Sequence, residues 1–294
     1  MTVKNRSKIC LIVSAAIMAV AVLLSVFGLG INFGIDFAGG LSMQYSMGGE
    51  YVKSNVEAIL SGLNVGDYNI AEQGGNEINI RIATLAEDDV QSVQAALEEQ
   101  LFAKYPAAVR SGDTNYVGPV AGKTLLTNAI YSVLLASVLM LVYIAIRFDF
   151  NSGIAAVAGL VHDVLMMLAF MVLLRSFVQM NSSFISAMLT IVGYSINNTI
   201  VNFDRIRENA RKMPSCARVE VVNRSVKECL GRTLTTTATT LVTIVVLYVL
   251  GVDSIREFAL PIIIGIVSGV YSANLINGYI WAALEEKKLA RKTA

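Results

Sequence analysis

Six stretches of about twenty residues, 9–29, 125–146, 153–174, 182–203, 233–250 and 259–282, carry almost no charge. About twenty residues at 1.5 Å each cross the hydrocarbon core of a bilayer. The rest of the chain must fit around six such helices. With 55% hydrophobic and only 15% charged residues, the composition is too apolar for one soluble core. An α-helical polytopic membrane protein follows, with the first apolar run read as an uncleaved helix, because it outlasts a signal core and no small-residue cleavage site succeeds it.

The net charge of +1 hides an asymmetry that sets orientation. Twelve acids and four bases lie between the first two runs, before Lys123. Cations gather elsewhere: Lys4, Arg6 and Lys8 at the start, Lys287, Lys288, Arg291 and Lys292 at the end, and eight more between Arg205 and Arg232. Positive charge stays inside, so both termini and the basic link at 204–232 are expected in the cytoplasm and 31–122 outside. Arg175 and Arg256, in short outer loops, are minor exceptions. The expected division is 1–30 for the N-terminus and first helix, 31–122 for an extracytoplasmic domain, 123–282 for helices two to six, and 283–294 for a cytoplasmic tail.

Within 31–122 the pattern changes to a soluble one. Met43, Tyr45 and Met47 alternate with small or polar residues, as do Ile78, Ile80 and Ile82, the period of half-buried strands. Amphipathic helices are expected over 51–63 and 86–105, the second opening on Glu87, Asp88 and Asp89 at the positive end of its dipole. Further strands near 68–73 and 114–117 complete a β-α-β-β-α-β order, that of a ferredoxin-like α+β domain. No phosphate loop, His/Cys cluster or nucleophile setting points to an enzyme, and no cofactor or metal site is indicated. Cys10, Cys216 and Cys229 read as ordinary thiols.

Polar residues inside the membrane runs are the candidates for function. Run 193–208, Gly-Tyr-Ser-Ile-Asn-Asn-Thr-Ile-Val-Asn-Phe-Asp-Arg-Ile-Arg-Glu, places Asn197, Asn198 and Asn202 in apolar surroundings. Amides are costly in hydrocarbon, so this helix must face other helices or a wet cavity. Tyr194, Asn198 and Asn202 share one face at four-residue steps, joined by Ser195. The third run holds the only histidine, His162, beside Asp163, about 14–15 Å along a helix from Gly153 and so near mid-membrane. A carboxylate at that depth is either functional or bonded to His162 and neighbouring hydroxyls. Arg232 opens a threonine-rich fifth run whose hydroxyls are expected to bond upstream carbonyls. Gly265, Gly269 and Ala273 signal close packing. The basic link lacks aromatics and is interrupted by Glu220 and Glu228, which argues for contact with anionic lipid or a partner and against nucleic acid.

Taken together, 34–40 (Gly-Ile-Asp-Phe-Ala-Gly-Gly), 117–122 (Val-Gly-Pro-Val-Ala-Gly), His162-Asp163, the run at 193–208 and Arg232-Thr233 resemble the SecF family, membrane subunits of bacterial protein export in the resistance-nodulation-division superfamily. The resemblance implies six spans forming half of a transporter, pairing with SecD, and assistance to the SecYEG channel in drawing an unfolded polypeptide outward at the expense of an ion gradient. It marks Asp36, Gly39, Gly40, Gly118, Pro119, Gly193, Asp204 and Arg205 as structural motif positions. It also exposes a departure. Many family members carry an aspartate where this chain has Asn198, thought to hold the coupling proton with an arginine matching Arg232. Asn198 does not titrate. Asp163 or an acid of SecD then carries the proton, or the Asn198 amide carbonyl helps coordinate sodium, or this subunit holds no ion site. A small-molecule or lipid exporter subunit of the superfamily and a structural scaffold are the other classes of function.

Overall fold

The computed structural model describes residues 3–73, 76–83, 86–176 and 178–293; the side chains of Lys4, Arg6 and Lys292 lie outside the described ones. In chain order the elements are α1 (Val3–Val26), α2 (Ile35–Ala38), β1 (Gly40–Ser46), α3 (Lys53–Gly62), β2 (Tyr68–Gln73), β3 (Glu77–Ile82), α4 (Val90–Lys104), β4 (Val109–Arg110), β5 (Asn115–Val117), α5 (Pro119–Arg147), α6 (Phe150–Leu173), α7 (Ser182–Lys212), α8 (Arg218–Leu250), α9 (Asp253–Tyr271), a π-helical turn (Ser272–Asn277) and α10 (Gly278–Thr293). Two compact units result: Phe33–Ile130, and the flanking residues up to Asn32 with Tyr131 onward.

The smaller unit is an antiparallel sheet in the order β2-β3-β1-β4, the ferredoxin-like arrangement. Leu41, Met43 and Tyr45 pair across from Ile82, Ile80 and Ile78. Their side chains share one face with Val56 and Leu60 of α3 and Leu97 and Leu101 of α4, all fully buried. Burial first, and then the Glu98 carboxylate 3.3 Å from the hydroxyl, push Tyr45 above the usual phenol range. The last strand differs from a single run at 114–117. Two short strands, β4 and β5, both pair with β1 at either end of it. Between them the Ser111 N–H bonds the Gln44 carbonyl at 3.0 Å, which holds the excursion against the sheet.

The glycine motif closes this unit onto the start of α5. After the single turn of α2, with Asp36 in it, Gly39 and Gly40 take φ of 77° and 122°. A Cβ on Gly40 would strike the Ile82 carbonyl, and one on Gly39 would lie 3.0 Å from the Pro119 Cα. Pro119 follows Gly118 as the first residue of α5, where a missing N–H costs nothing.

Among the described residues six helices are long and apolar enough to cross a membrane, the sixth being α9, the π-helical turn and α10 in continuity. Two differ from their apolar runs. α7 continues to Lys212 and α8 begins at Arg218, so most of the expected link is helix. Hydropathy marks where a helix leaves hydrocarbon, not where it ends. Asn209 Nδ2 bonds Ser225 Oγ at 3.0 Å and Glu228 at 2.8 Å, and Arg205 Nε bonds Glu228 at 2.6 Å. These contacts pair the extensions. Arg175 and Arg256, the outer-loop exceptions, donate to the carbonyls of Gly28 and Val249, both at 3.4 Å.

Replacing Gly40 by alanine is expected to destabilise the smaller unit by about 2 kcal/mol or more, because both the φ and the Ile82 carbonyl oppose a side chain. Hydrogen exchange of β1 and β3 amides in the full chain should accelerate about thirtyfold; unchanged protection would show that the strand end relaxes freely.

Candidate functional site

Asp163 is the most enclosed charge-bearing group of the bundle. It lies 13 residues into α6, about 20 Å along the helix, with no exposed surface. Its Oδ1 accepts from Ser268 Oγ of α9 at 2.8 Å and from His162 Nδ1 at 3.0 Å. Its Oδ2 accepts from Ser195 Oγ of α7 at 2.5 Å and from Ser272 Oγ at 2.9 Å, the first residue of the π-helical turn. Two donors per oxygen replace the water that a carboxylate loses on burial. Ser268 and Ser272, four residues apart, reach it from one face.

Close helix packing makes this approach possible. A Cβ on Gly269 would lie 3.4 Å from the Ser195 Cβ and 3.6 Å from Asp163 Oδ2, and one on Gly265 would collide with Ile191. The G-x-x-x-G spacing, a packing signal in the sequence, therefore sets the distance from which two serines meet the carboxylate.

His162 extends the network. Its Nε2 lies 3.3 Å from the Tyr271 hydroxyl, which is 2.9 Å from Ser14 Oγ of α1. An ionised carboxylate only accepts, so the Nδ1 N–H donates to Asp163; with a neutral imidazole Nε2 then accepts from Tyr271, and Tyr271 from Ser14. His162 and Asp163 serve different neighbours, Tyr271 against the serines, yet the two also bond each other. Ser14, Ser268 and Tyr271 line a cavity of about 470 Å³ whose other walls include Ile9, Val13, Met166 and Phe170. Its walls are mainly hydrocarbon.

A second polar layer lies further along α7. Asn202 Nδ2 bonds the Ala273 carbonyl at 3.0 Å and Asn274 Oδ1 at 3.2 Å, and Asn277 Nδ2 bonds Thr199 Oγ1 at 2.9 Å. Asn202 Oδ1, Asn277 Oδ1 and Asn198 Nδ2 are buried without a hydrogen-bond partner. The other marked residues are not gathered here. Asn197 and Arg232 are exposed on α7 and α8. Tyr194 turns to Thr237 of α8 at 3.4 Å, and a Cβ on Gly193 would make only an ordinary contact with Met140. Asp204 pairs with Arg147 at the end of α5, 3.5 Å away, and Arg205 also binds Glu208. Those two motif residues clasp helix ends.

Sequence reasoning missed Ser14, Ser268, Tyr271, Ser272, Asn274 and Asn277. The signal was present, since five of these six interrupt the apolar run at 259–282 just as the asparagines interrupt the fourth.

Six helices able to cross a membrane among the described residues, a ferredoxin-like unit after the first and a buried carboxylate between helices define a multi-pass membrane protein of the resistance-nodulation-division type. The SecD/SecF C-terminal family of protein export membrane proteins matches residues 97–287, and the SecD/SecF GG motif matches 24–48, which contains Gly39 and Gly40. The chain is 37% identical to the protein translocase subunit SecF of Alicyclobacillus acidocaldarius, over 96% of this chain and 92% of that one. It is 36% identical to SecF of Rhodothermus marinus, over 93% and 91%. It superposes with a TM-score of 0.82 and 31% identity on SecDF, a translocon-associated membrane protein of Thermus thermophilus, covering 97% of this chain. It spans only 39% of that SecDF chain. The chain belongs to the SecF family of protein translocase subunits.

Because His162 is the only histidine, nitrogen-labelled histidine gives one imidazole signal. At neutral pH it should show a protonated Nδ1 and an accepting Nε2. Tyr271→Phe should shift the Nε2 resonance alone; a spectrum unchanged by that substitution would break the chain at its middle link.

Proposed function

We propose that this subunit is one half of an ion-driven export motor, in which Asp163 takes up and releases the coupling proton while the outer domain draws a translocating polypeptide from the SecYEG channel. The observation that carries this reading is the ring of three serine hydroxyls around Asp163. A hydroxyl donates or accepts by rotating. The ring therefore serves the carboxylate as donors and a protonated acid as an acceptor, without moving a helix. Because the hydroxyls come from α7, α9 and the π-helical turn, a change in charge at Asp163 alters the forces holding those helices together, which is how a proton could bias a conformational equilibrium. His162, Tyr271 and Ser14 order the far side.

The half-motor reading rests on surfaces left open. α5 buries none of its apolar window and α8 about a tenth. On α7, Ser186, Thr190 and Asn197 form an outward stripe. Ser186 and Thr190 bond their own upstream carbonyls at 3.1 and 2.8 Å, as do Thr236, Thr240 and Thr243 of α8. The Asn197 amide makes no such bond among the described residues. An amide facing lipid is costly, and a SecD-like half supplies the cover for Asn197 and Arg232. Positive-inside orientation puts both termini and the α7–α8 connection in the cytoplasm, with that connection against anionic lipid.

Sodium coupling is a second reading, favoured by the buried carbonyl oxygens of Asn202 and Asn277. Such neutral oxygen donors suit a hard cation.

In cells depleted of this protein, maturation of a signal-peptide-bearing precursor should slow. The wild-type chain should restore it and Asp163→Asn should not, with at least a tenfold deficit; full rescue by Asp163→Asn would remove the proton from this residue. Removing sodium should leave the wild-type rate unchanged, and a sodium requirement would instead favour the asparagine layer.

A further inference from the structure

The ends of α6, α7, α8 and α10 meet around a pocket of about 260 Å³. Ile206, Ala210 and Trp281 give it an apolar floor, and Arg207, Arg211, Arg218 and Lys288 bring four cations to its walls. Two carboxylates also line it, and both are engaged. Asp149 accepts from Ser152 N at 3.3 Å and Ser152 Oγ at 2.7 Å, and Glu285 accepts from Asn151 Nδ2 at 2.5 Å and lies 4.0 Å from Lys288. The arginines remain unneutralised. None of the three has an ion pair among the described residues, whereas Arg205 and Arg224, on the same two helices, are both tied to Glu228. Arg218 is distinctive, because its Nε is buried without a hydrogen-bond partner.

A buried guanidinium N–H forgoes water and gains nothing, which is costly unless a ligand supplies an oxygen. Arg218 is also the first residue of α8, whose N-terminus has no side-chain cap. Free backbone N–H groups and the positive end of the dipole add to the attraction for an anion there. Guanidinium forks match tetrahedral oxyanions in geometry as well as charge.

We infer that this pocket binds a phosphate group between Arg207, Arg211 and Arg218. An anionic phospholipid headgroup and free inorganic phosphate share that chemistry. The position of the pocket, at the basic end of crossing helices and floored by a tryptophan of the kind found at membrane interfaces, fits a headgroup whose acyl chains remain in the bilayer. The inference rests on the proposed lipid contact of the basic link and narrows it to one pocket.

Trp281 is the chain's only tryptophan, so its fluorescence reports occupancy directly. The purified full chain in a non-ionic detergent is titrated with short-chain phosphatidylglycerol, short-chain phosphatidylcholine and inorganic phosphate at matched ionic strength. Phosphatidylglycerol should change the fluorescence saturably and phosphatidylcholine should not. Arg211→Gln and Arg218→Gln should each weaken binding about tenfold. The exposed Arg207→Gln provides the same test without touching a buried group, and Lys227→Gln, an exposed cation outside the pocket, should leave binding unchanged. Equal saturation by inorganic phosphate, lost in the same variants, supports the oxyanion site with free phosphate as its source. Equal binding of the two lipids overturns the proposal, as does wild-type titration by all three arginine variants. Attraction to anionic vesicles that weakens equally in Lys227→Gln keeps the general lipid contact and overturns the pocket.

Discussion

A carboxylate in the middle of a membrane must receive from protein what water would have given it, and Asp163 receives it from Ser195, Ser268, Ser272 and His162. Much of the bundle can be understood from that requirement. Ser195 on one stretch and Ser268 with Ser272 on another must converge within hydrogen-bonding reach, so α6, α7 and α9 must approach closely, and Gly265 and Gly269 permit it. The π-helical turn begins at Ser272 itself. Such turns alter the phase of the side chains they carry, and Asn274 and Asn277 lie within it to meet Asn202 and Thr199.

The same helices that enclose Asp163 leave α5 and α8 largely uncovered. An inner set of buried polar groups and an outer polar stripe on α7 are separated by part of one turn, since Asn197 points out where Asn198 points in. That division suits a subunit with two tasks: holding a titratable group within its own helices, and presenting amides and hydroxyls to a second half. Asn198 brings no charge to the boundary between them. Asp163 is the carboxylate enclosed by the bundle, which is why the coupling role is proposed for it.

Much of this was legible in the sequence for identifiable reasons. The six crossings follow from hydrocarbon thickness alone, and the sheet of the smaller unit from the alternation of Ile78, Ile80 and Ile82, whose period needs no partner to be read. Other features depend on what packs against them. The divided strand pair at Val109–Arg110 and Asn115–Val117 is set by its register on β1. The helical extensions to Lys212 and from Arg218 are held by Glu228, Arg205 and Asn209 meeting across two helices, a contact invisible to hydropathy. The inward turn of Asn198 and outward turn of Asn197 depend on the rotation of α7 against α9. Ser268 and Ser272 were hidden differently: the glycines between and before them read as packing, and their hydroxyls as its accompaniment.

The central claim is that Asp163 changes protonation as the subunit works. Infrared difference spectroscopy of the full chain in membranes, reconstituted with its SecD-like partner, tests it most directly when the outer solution is acidified. In the wild-type spectrum minus that of Asp163→Asn, where the bands of the exposed carboxyls cancel, one protonated carboxyl band should appear on acidification and shift when Ser268 or Ser272 is replaced by alanine. Identical spectra for the wild type and Asp163→Asn would contradict the account and move the coupling site out of this subunit's α6.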